Sequence, residues 1–181
     1  MKLNKDILYV SVIVLLLAAC GQLYYSTRYL PQAERAVNVY YNQDRPLNRE
    51  LVGLIQDADK FVYFAVYTFT RADLKDALLA AKHRGLTVVG LTDRQQTAGL
   101  ESQTKLIKEL REAGIPVYEQ DHAGIMHLKV LVTDKAYASG SYNWTAAATS
   151  LNDEVLEIGR DQTLRAKYQG VLEKLFRLYG A

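Results

Sequence analysis

The chain has one cysteine, Cys20, among 181 residues. That excludes an intrachain disulfide and any zinc site built from several cysteines. Its three histidines fall at positions 83, 122 and 127, a scatter that makes no obvious metal cluster. Charge of one sign is lacking too. The formal net charge is +2, so any basic groove must come from local clustering. No low-complexity run and no second domain are evident. The longest apolar run, residues 7–19 broken only by Ser11, falls short of the about 20 residues of a comfortable membrane span. What is there, 49% of it hydrophobic, suffices for one well-buried domain and is short for two.

Lys2 and Lys5 precede the apolar run, which together have the form of an export signal. Leu17-Ala18-Ala19-Cys20 resembles the bacterial lipobox, in which the cysteine is lipidated and becomes the new N-terminus. The alternative is an uncleaved signal anchor with Cys20 as a small apolar residue. Both readings place the domain in a bacterial cell envelope, tethered to a membrane and facing the periplasm or exterior; in a eukaryotic chain an organelle anchor is expected instead. Residues 21–36, polar with tyrosines and Pro31, read as a tether. The predicted division is 1–20 signal or anchor, 21–36 tether and 37–181 catalytic domain.

Within the domain, apolar runs predict strands over residues 37–41, 61–69, 87–92, 115–118, 126–133, 136–139 and 155–158. Between them lie helical patterns. Pro46 opens one that buries Leu51, Leu54 and Ile55; Thr70 is expected to cap a second, ended by Gly85. After a loop through Gly99, a third carries Leu106, Ile107 and Leu110. Asp161 is expected to cap a last helix burying Leu164, Tyr168, Val171, Leu172, Leu175 and Phe176. Repeated strand–helix–strand units predict an α/β fold, an α-β-α sandwich with a mixed, largely parallel sheet and strand ends near one crevice.

The chemistry concentrates between residues 124 and 154. His127 and Lys129 sit two apart in a β-branched run, so a strand would turn imidazole and ammonium to one face. Asp134 and Lys135 form a turn, and Gly140-Ser141-Tyr142-Asn143 then adds a hydroxyl and an amide, with Glu154 beyond. H-x-K-x4-D at His127, Lys129 and Asp134, followed by G-S-x-N at Gly140, Ser141 and Asn143, closely resembles the signature of the phospholipase D superfamily. The nearest likeness is to its single-motif members, the bacterial EDTA-resistant endonucleases and mitochondrial cardiolipin hydrolase-like proteins. It extends over roughly residues 37–158 through Tyr67-Thr68-Phe69-Thr70 and Arg84-Gly85-Leu86. Five residues separate Asp134 from Gly140, one fewer than is usual in the family, which implies a tighter hairpin.

The resemblance implies a phosphodiesterase without metal or other cofactor. A phosphodiester repels nucleophiles and has a poor leaving group, so it calls for positive charge, a neutral nucleophile and an acid. His127 is expected to attack phosphorus and form a phosphohistidine, with Lys129 and Asn143 holding non-bridging oxygens. Ser141 adds a donor or supports the turn, and Glu154 is expected to orient the imidazole. Asp134, part of the motif, fits hairpin capping or an ion pair better than substrate contact. With no second H-x-K in the chain, the leaving-group acid is expected from His127 of a second subunit, so the active unit is a homodimer. Three functions remain open: an exported endonuclease acting on DNA or RNA, a phospholipase D or cardiolipin hydrolase acting on phospholipids, and a non-catalytic tethered binding module. Trp144 is expected to pack rather than stack on bases, and Arg94 is a candidate for a phosphate contact.

Overall fold

A computed structural model describes residues 5–28 and 37–180. It divides into two compact units, Met1–Ala36 and Val37–Ala181. In the first, α1 (Lys5–Arg28) is one continuous helix that runs through Cys20 into the stretch read as a tether; the rest of that stretch lies outside the described residues. Its residues from Tyr9 to Leu17, apart from Ser11, and Leu23 and Tyr24 are apolar and exposed, Cys20 is exposed as well, and among the described residues no helix is long and apolar enough to cross a membrane.

The second unit is built on seven strands, β1 (Val37–Tyr41), β2 (Phe61–Val66), β3 (Thr87–Asp93), β4 (Val117–Gln120), β5 (Lys129–Thr133), β6 (Tyr137–Gly140) and β7 (Val155–Gly159), in the order β1-β7-β6-β5-β2-β3-β4. The sheet is mixed, and its parallel part is narrower than the repeated units imply: among the described residues the only parallel strand pairs are β2–β3 and β3–β4. The other four pairings are antiparallel; between β5 and β6 the tight hairpin at Asp134 and Lys135 has no room for a crossover helix.

Alternation along each strand sorts the core. Val62, Phe64 and Val66 of β2 face a cluster formed with α2 (Leu47–Asp57), α3 (Ala72–His83) and α5 (Glu101–Glu112). Ala65 of β2 and Val130 and Val132 of β5 face the other way, toward α7 (Gln162–Tyr179). The result is the expected three-layer sandwich. Gly85 and Gly114, at φ 88° and 77°, close α3 and α5 in the left-handed region that glycine enters without a Cβ penalty.

Several boundaries differ from the sequence reading. Thr70 does not cap α3; the N-cap is Arg71, whose guanidinium instead pairs with Asp73 in the first turn at 2.8 Å. The loop after Asp93 is a helical turn, α4 (Arg94–Gly99), and a second short helix, α6 (Ala146–Ser150), follows the G-S-x-N stretch. Strand β4 begins at Val117, after Pro116, which has no N–H to give a ladder. Strand β2 stops at Val66, and His127 lies before β5 rather than in it.

Candidate active site

Because β5 and β7 run against β2 and β6, the C-terminal ends of β1, β2, β3, β4 and β6 and the N-terminal ends of β5 and β7 meet at one edge of the sheet. Tyr67, Asp93, Gln120, His127, Asn143, Glu154 and Asn42 all leave the sheet there. Chain polarity alone gathers them.

His127 is exposed, and its ring lies beside Tyr67 with centroids 5.0 Å apart. Lys129, only 6% exposed, sends Nζ back to donate to the His127 carbonyl oxygen at 2.9 Å, 5.4 Å from the centre of the Tyr67 ring. Imidazole and ammonium therefore come together around one aromatic ring, although only Lys129 is in the strand. Burial pulls the Lys129 pKa below the ordinary lysine value, against the opposing field of the Glu154 carboxylate. An ammonium so poorly solvated is poised to gain from an incoming anion.

The backbone ahead of His127 is fixed from two sides. Asp93, 1% exposed, accepts from the Gln96 amide N–H through Oδ1 (2.8 Å), capping α4, and from the Met126 N–H through Oδ2 (2.9 Å). Buried Gln120 donates to the carbonyls of His122 (3.2 Å) and Gly124 (2.9 Å). From α4 the bonds run on across the site: the Gln96 side chain donates to Thr68 Oγ1 (3.2 Å), and the Thr68 N–H donates to Asn143 Oδ1 (3.2 Å). That bond turns the Asn143 amide so that its oxygen faces the β2 loop and, among the described residues, its NH₂ is left for another acceptor. Beneath them Gln103, fully buried, accepts from the Phe69 N–H at 2.8 Å and donates to the Tyr67 carbonyl and the hydroxyls of Thr92 and Thr97 at 2.9–3.1 Å. This network ends β2 early and makes residues 67–69 the floor of the site.

Ser141 and Glu154 form the other wall. Ser141 Oγ donates to one Glu154 carboxylate oxygen and accepts from the Val155 N–H at 3.2 Å. Asn152 donates to the other carboxylate oxygen at 3.0 Å, while Asn42 accepts from the Glu154 N–H at 2.9 Å. No hydrogen bond joins Glu154 to His127 among the described residues; its negative charge acts on Lys129 instead. A Cβ on Gly140 would come within 2.1 Å of the Val155 carbonyl oxygen, so the motif glycine is required by close approach of β6 to β7.

Asp134 lies at the opposite end of β5 from His127. Its Oδ1 accepts from the N–H groups of Asp59 (3.0 Å) and Lys60 (3.1 Å) at the turn into β2. Burial would raise its pKa, but these backbone donors hold it below the usual carboxylate value. Of the six candidate residues, five converge and Asp134 does not; it pins a turn. Trp144 packs as expected, 2% exposed and edge-on to Phe69 at 4.8 Å. Arg94 is paired with Asp121 at 3.3 Å, and His122 accepts from the Gly124 N–H at 2.9 Å. Among the described residues, no group of three or more His, Cys, Asp or Glu could hold a metal ion.

Tyr67, Asp93, Gln103 and Asn42 were not named as site residues from the sequence. Asp93 could have been, since Asp-x-x-Gln before a helical turn has capping-box spacing. Gln103, inside an amphipathic helix, carries no such signal.

Residues 51–176 match the family described as "Cardiolipin synthase, PLD-like domain". Mitochondrial cardiolipin hydrolase of Xenopus tropicalis is 34% identical over 137 residues, covering 75% of this chain and 63% of that protein. Phospholipase D of Rickettsia conorii is 36% identical over 115 residues, 63% of this chain and 56% of that protein. The chain thus spans less than two thirds of the length of these curated relatives. Two solved structures superpose over most of their length. Nuc from Salmonella typhimurium, a phospholipase D family member, gives a TM-score of 0.73 at 26% identity over 78% of this chain and 93% of its own. NucT from Helicobacter pylori gives 0.72 at 26% identity over 80% and 97%. With the sheet edge, the paired histidine and lysine and the family match in agreement, the chain belongs to the phospholipase D superfamily.

Proposed function

We propose that the protein is a metal-independent phosphodiesterase that cleaves a polynucleotide backbone through a phosphohistidine, working as a homodimer held at a membrane. The observation that carries this reading is the exposed His127 imidazole beside an ammonium buried out of water. In the first step an imidazole nitrogen of His127 bonds to phosphorus as the bond to the leaving oxygen breaks. Lys129 and the free NH₂ of Asn143 hold the non-bridging oxygens, whose charge grows in the transition state. Water then displaces the histidine. The leaving oxygen takes its proton from a second imidazole, and one chain has none to offer: His83 closes α3, and His122 is engaged with its own loop. His127 of a second subunit supplies it, an assistance of about 10²- to 10⁴-fold. The Ser141–Glu154 pair supports the wall and holds negative charge near Lys129.

The site lies open at the sheet edge, which suits a polymer backbone that must pass through. The names of both solved relatives, Nuc and NucT, are in keeping with a nucleic-acid substrate. A second reading, phospholipid hydrolysis, is favoured by one observation: Ile125, two residues before His127, is 53% exposed and Leu151, ahead of Glu154, is 80% exposed. Such side chains can meet acyl chains or a partner subunit. Anchorage is assigned to α1 or to lipid on Cys20, with the domain in the cell envelope.

The deciding experiment incubates the full chain in excess EDTA with labelled single- and double-stranded DNA and RNA, beside vesicles of cardiolipin and of phosphatidylcholine. Polynucleotide cleavage that disappears in His127→Asn supports the proposal. Lipid turnover with intact polynucleotide moves the protein to the second reading, and turnover of neither leaves a binding module. A protein that is fully active as a strict monomer refutes the shared site.

A further inference from the structure

Helix α7 was expected to bury Leu164, Tyr168, Val171, Leu172, Leu175 and Phe176, yet only Leu172 is fully enclosed. The reason lies in its path. It begins over β6, where Tyr168 stacks on Tyr137 with centroids 4.8 Å apart, and reaches β2 and β4, where Phe176 meets Tyr63 at 5.5 Å and Tyr118 at 6.0 Å. The same face of β7 and β1 is left uncovered: Val155 is 47% exposed, Val39 67% and Val37 39%. On the helix itself Leu164, Val171 and Leu178 are 38%, 51% and 61% exposed.

These three leucine and valine positions are spaced by seven, so they form one line along the helix, and Lys167 and Lys174 fall on it between them. Both lysines are exposed, and neither takes part in any ion pair among the described residues. No acid lies on the line. On the helix Glu173, next to Lys174 in sequence, is half-buried and accepts from Gln169 at 2.8 Å, and on the open face Glu157, also half-buried, accepts from the Tyr137 hydroxyl at 2.9 Å.

We propose that this stripe, with the open β1–β7 face beside it, docks on an anionic lipid bilayer; the inference rests on the membrane-anchored part of the function proposed above. Alternating aliphatic and lysine side chains suit such a surface, because the aliphatic groups enter the acyl boundary while the ammonium groups reach the headgroups. A second copy docked through this stripe about a two-fold axis would set lysines against lysines. A polynucleotide would use the lysines and leave Leu164, Val171 and Leu178 in water. Chain continuity agrees with the bilayer. Eight residues, 29–36, separate α1 from Val37 of the open face, and eight residues extend at most about 28 Å.

The test uses the full chain with vesicles of phosphatidylcholine alone or mixed with phosphatidylglycerol, sedimentation reporting anchorage and hydrogen exchange reporting docking. The chain is expected to sediment with both vesicle types, while exchange across α7 and β1 slows only on the anionic ones. Each lysine should favour the docked state by about fivefold, so Lys167→Gln with Lys174→Gln should shift it about 25-fold and abolish the slowing with sedimentation unchanged. Slowing that is equal on both vesicle types, that follows protein concentration without vesicles, or that follows added DNA overturns the proposal. Sedimentation with vesicles but no slowing on either overturns the docking surface alone. A chain that sediments with neither overturns the anchorage and the docking surface together.

Discussion

The two ends of β5 carry the two halves of one short motif and do opposite things with charge. At the entry end, Lys129 is buried with a backbone carbonyl and an aromatic ring as its near partners, and its charged form is disfavoured. At the exit end, Asp134 is supplied with backbone N–H donors and its charged form is favoured. The first arrangement costs stability and leaves an unmet demand for an anion; the second contributes stability and leaves nothing over for a ligand. Adjacency in a motif is therefore no guide to a shared task.

The largest expected effect lies at the entry end. His127→Asn keeps the size and polarity of an exposed side chain, so phosphodiester turnover should fall to background while the melting temperature holds. Turnover by this variant at an appreciable rate would remove the nucleophile from the mechanism. Lys129→Met should lower kcat about 10²- to 10³-fold, the usual cost of removing one donor to developing charge. It should also leave stability equal or raised, since a desolvated ammonium is exchanged for an apolar side chain. The pH dependence gives the sign. With a folded pKa below the unfolded one, the unfolded chain binds more protons, so in the alkaline window between the two values Lys129 makes stability rise with pH. That rise should disappear in Lys129→Met, as measured by denaturant unfolding across the window.

The exit end should show the mirror image. Asp134→Ala strips two backbone N–H groups of their acceptor and should cost about 1–3 kcal/mol of unfolding free energy, with kcat nearly unchanged. A folded carboxyl held below its usual value contributes stability above the unfolded pKa, and that contribution is lost as pH falls through the folded one. The variant should therefore lose part of the acid arm of the wild-type stability curve. A large fall in kcat with unaltered unfolding would reverse the assignment and return Asp134 to the chemistry.

How much of this was legible follows from where each determinant resides. The β5–β6 hairpin and the run from His127 to Asn143 could be read because the residues are neighbours in sequence and their types are scarce. The buried strands could be read because alternation repeats. The floor of the site could not: Gln103 closes it from inside α5, where Leu106, Ile107 and Leu110 set the pattern and a glutamine reads as solvated. The shortened β2 was hidden for a related reason. Residues 61–69 are apolar enough for one long strand, but long-range bonds from Gln103, Asn143 and Trp144 draw Thr68 to Thr70 out of the ladder, while the Tyr67 N–H still donates to the Leu128 carbonyl. The exposed flank of α7 was misread because periodicity tells which residues share a side, and it says nothing of how wide a sheet the helix must cover.

Asp93 gives the finest test, because it serves the entry end from a distance. Both of its carboxylate oxygens accept a backbone N–H, one from Gln96 and one from Met126. In Asp93→Asn a single amide oxygen remains as acceptor, so one of the two must give way. If the α4 cap is kept, Met126 is released and His127 loses its fixed approach while Lys129 and Asn143 stay in place. A loss of kcat with KM retained is then expected, smaller than that of Lys129→Met, because misplacement weakens attack without removing the charge that binds the phosphate. If the Met126 bond is kept, α4 frays instead and Gln96 no longer holds Thr68, so the defect passes to Asn143 and should show in KM as well. The ratio of the two effects thus reports which bond the buried carboxylate holds more tightly. Asp93→Glu cannot repair either, since its longer side chain overreaches both donors. Unchanged kcat and KM in Asp93→Asn would show that the entry end needs no such support.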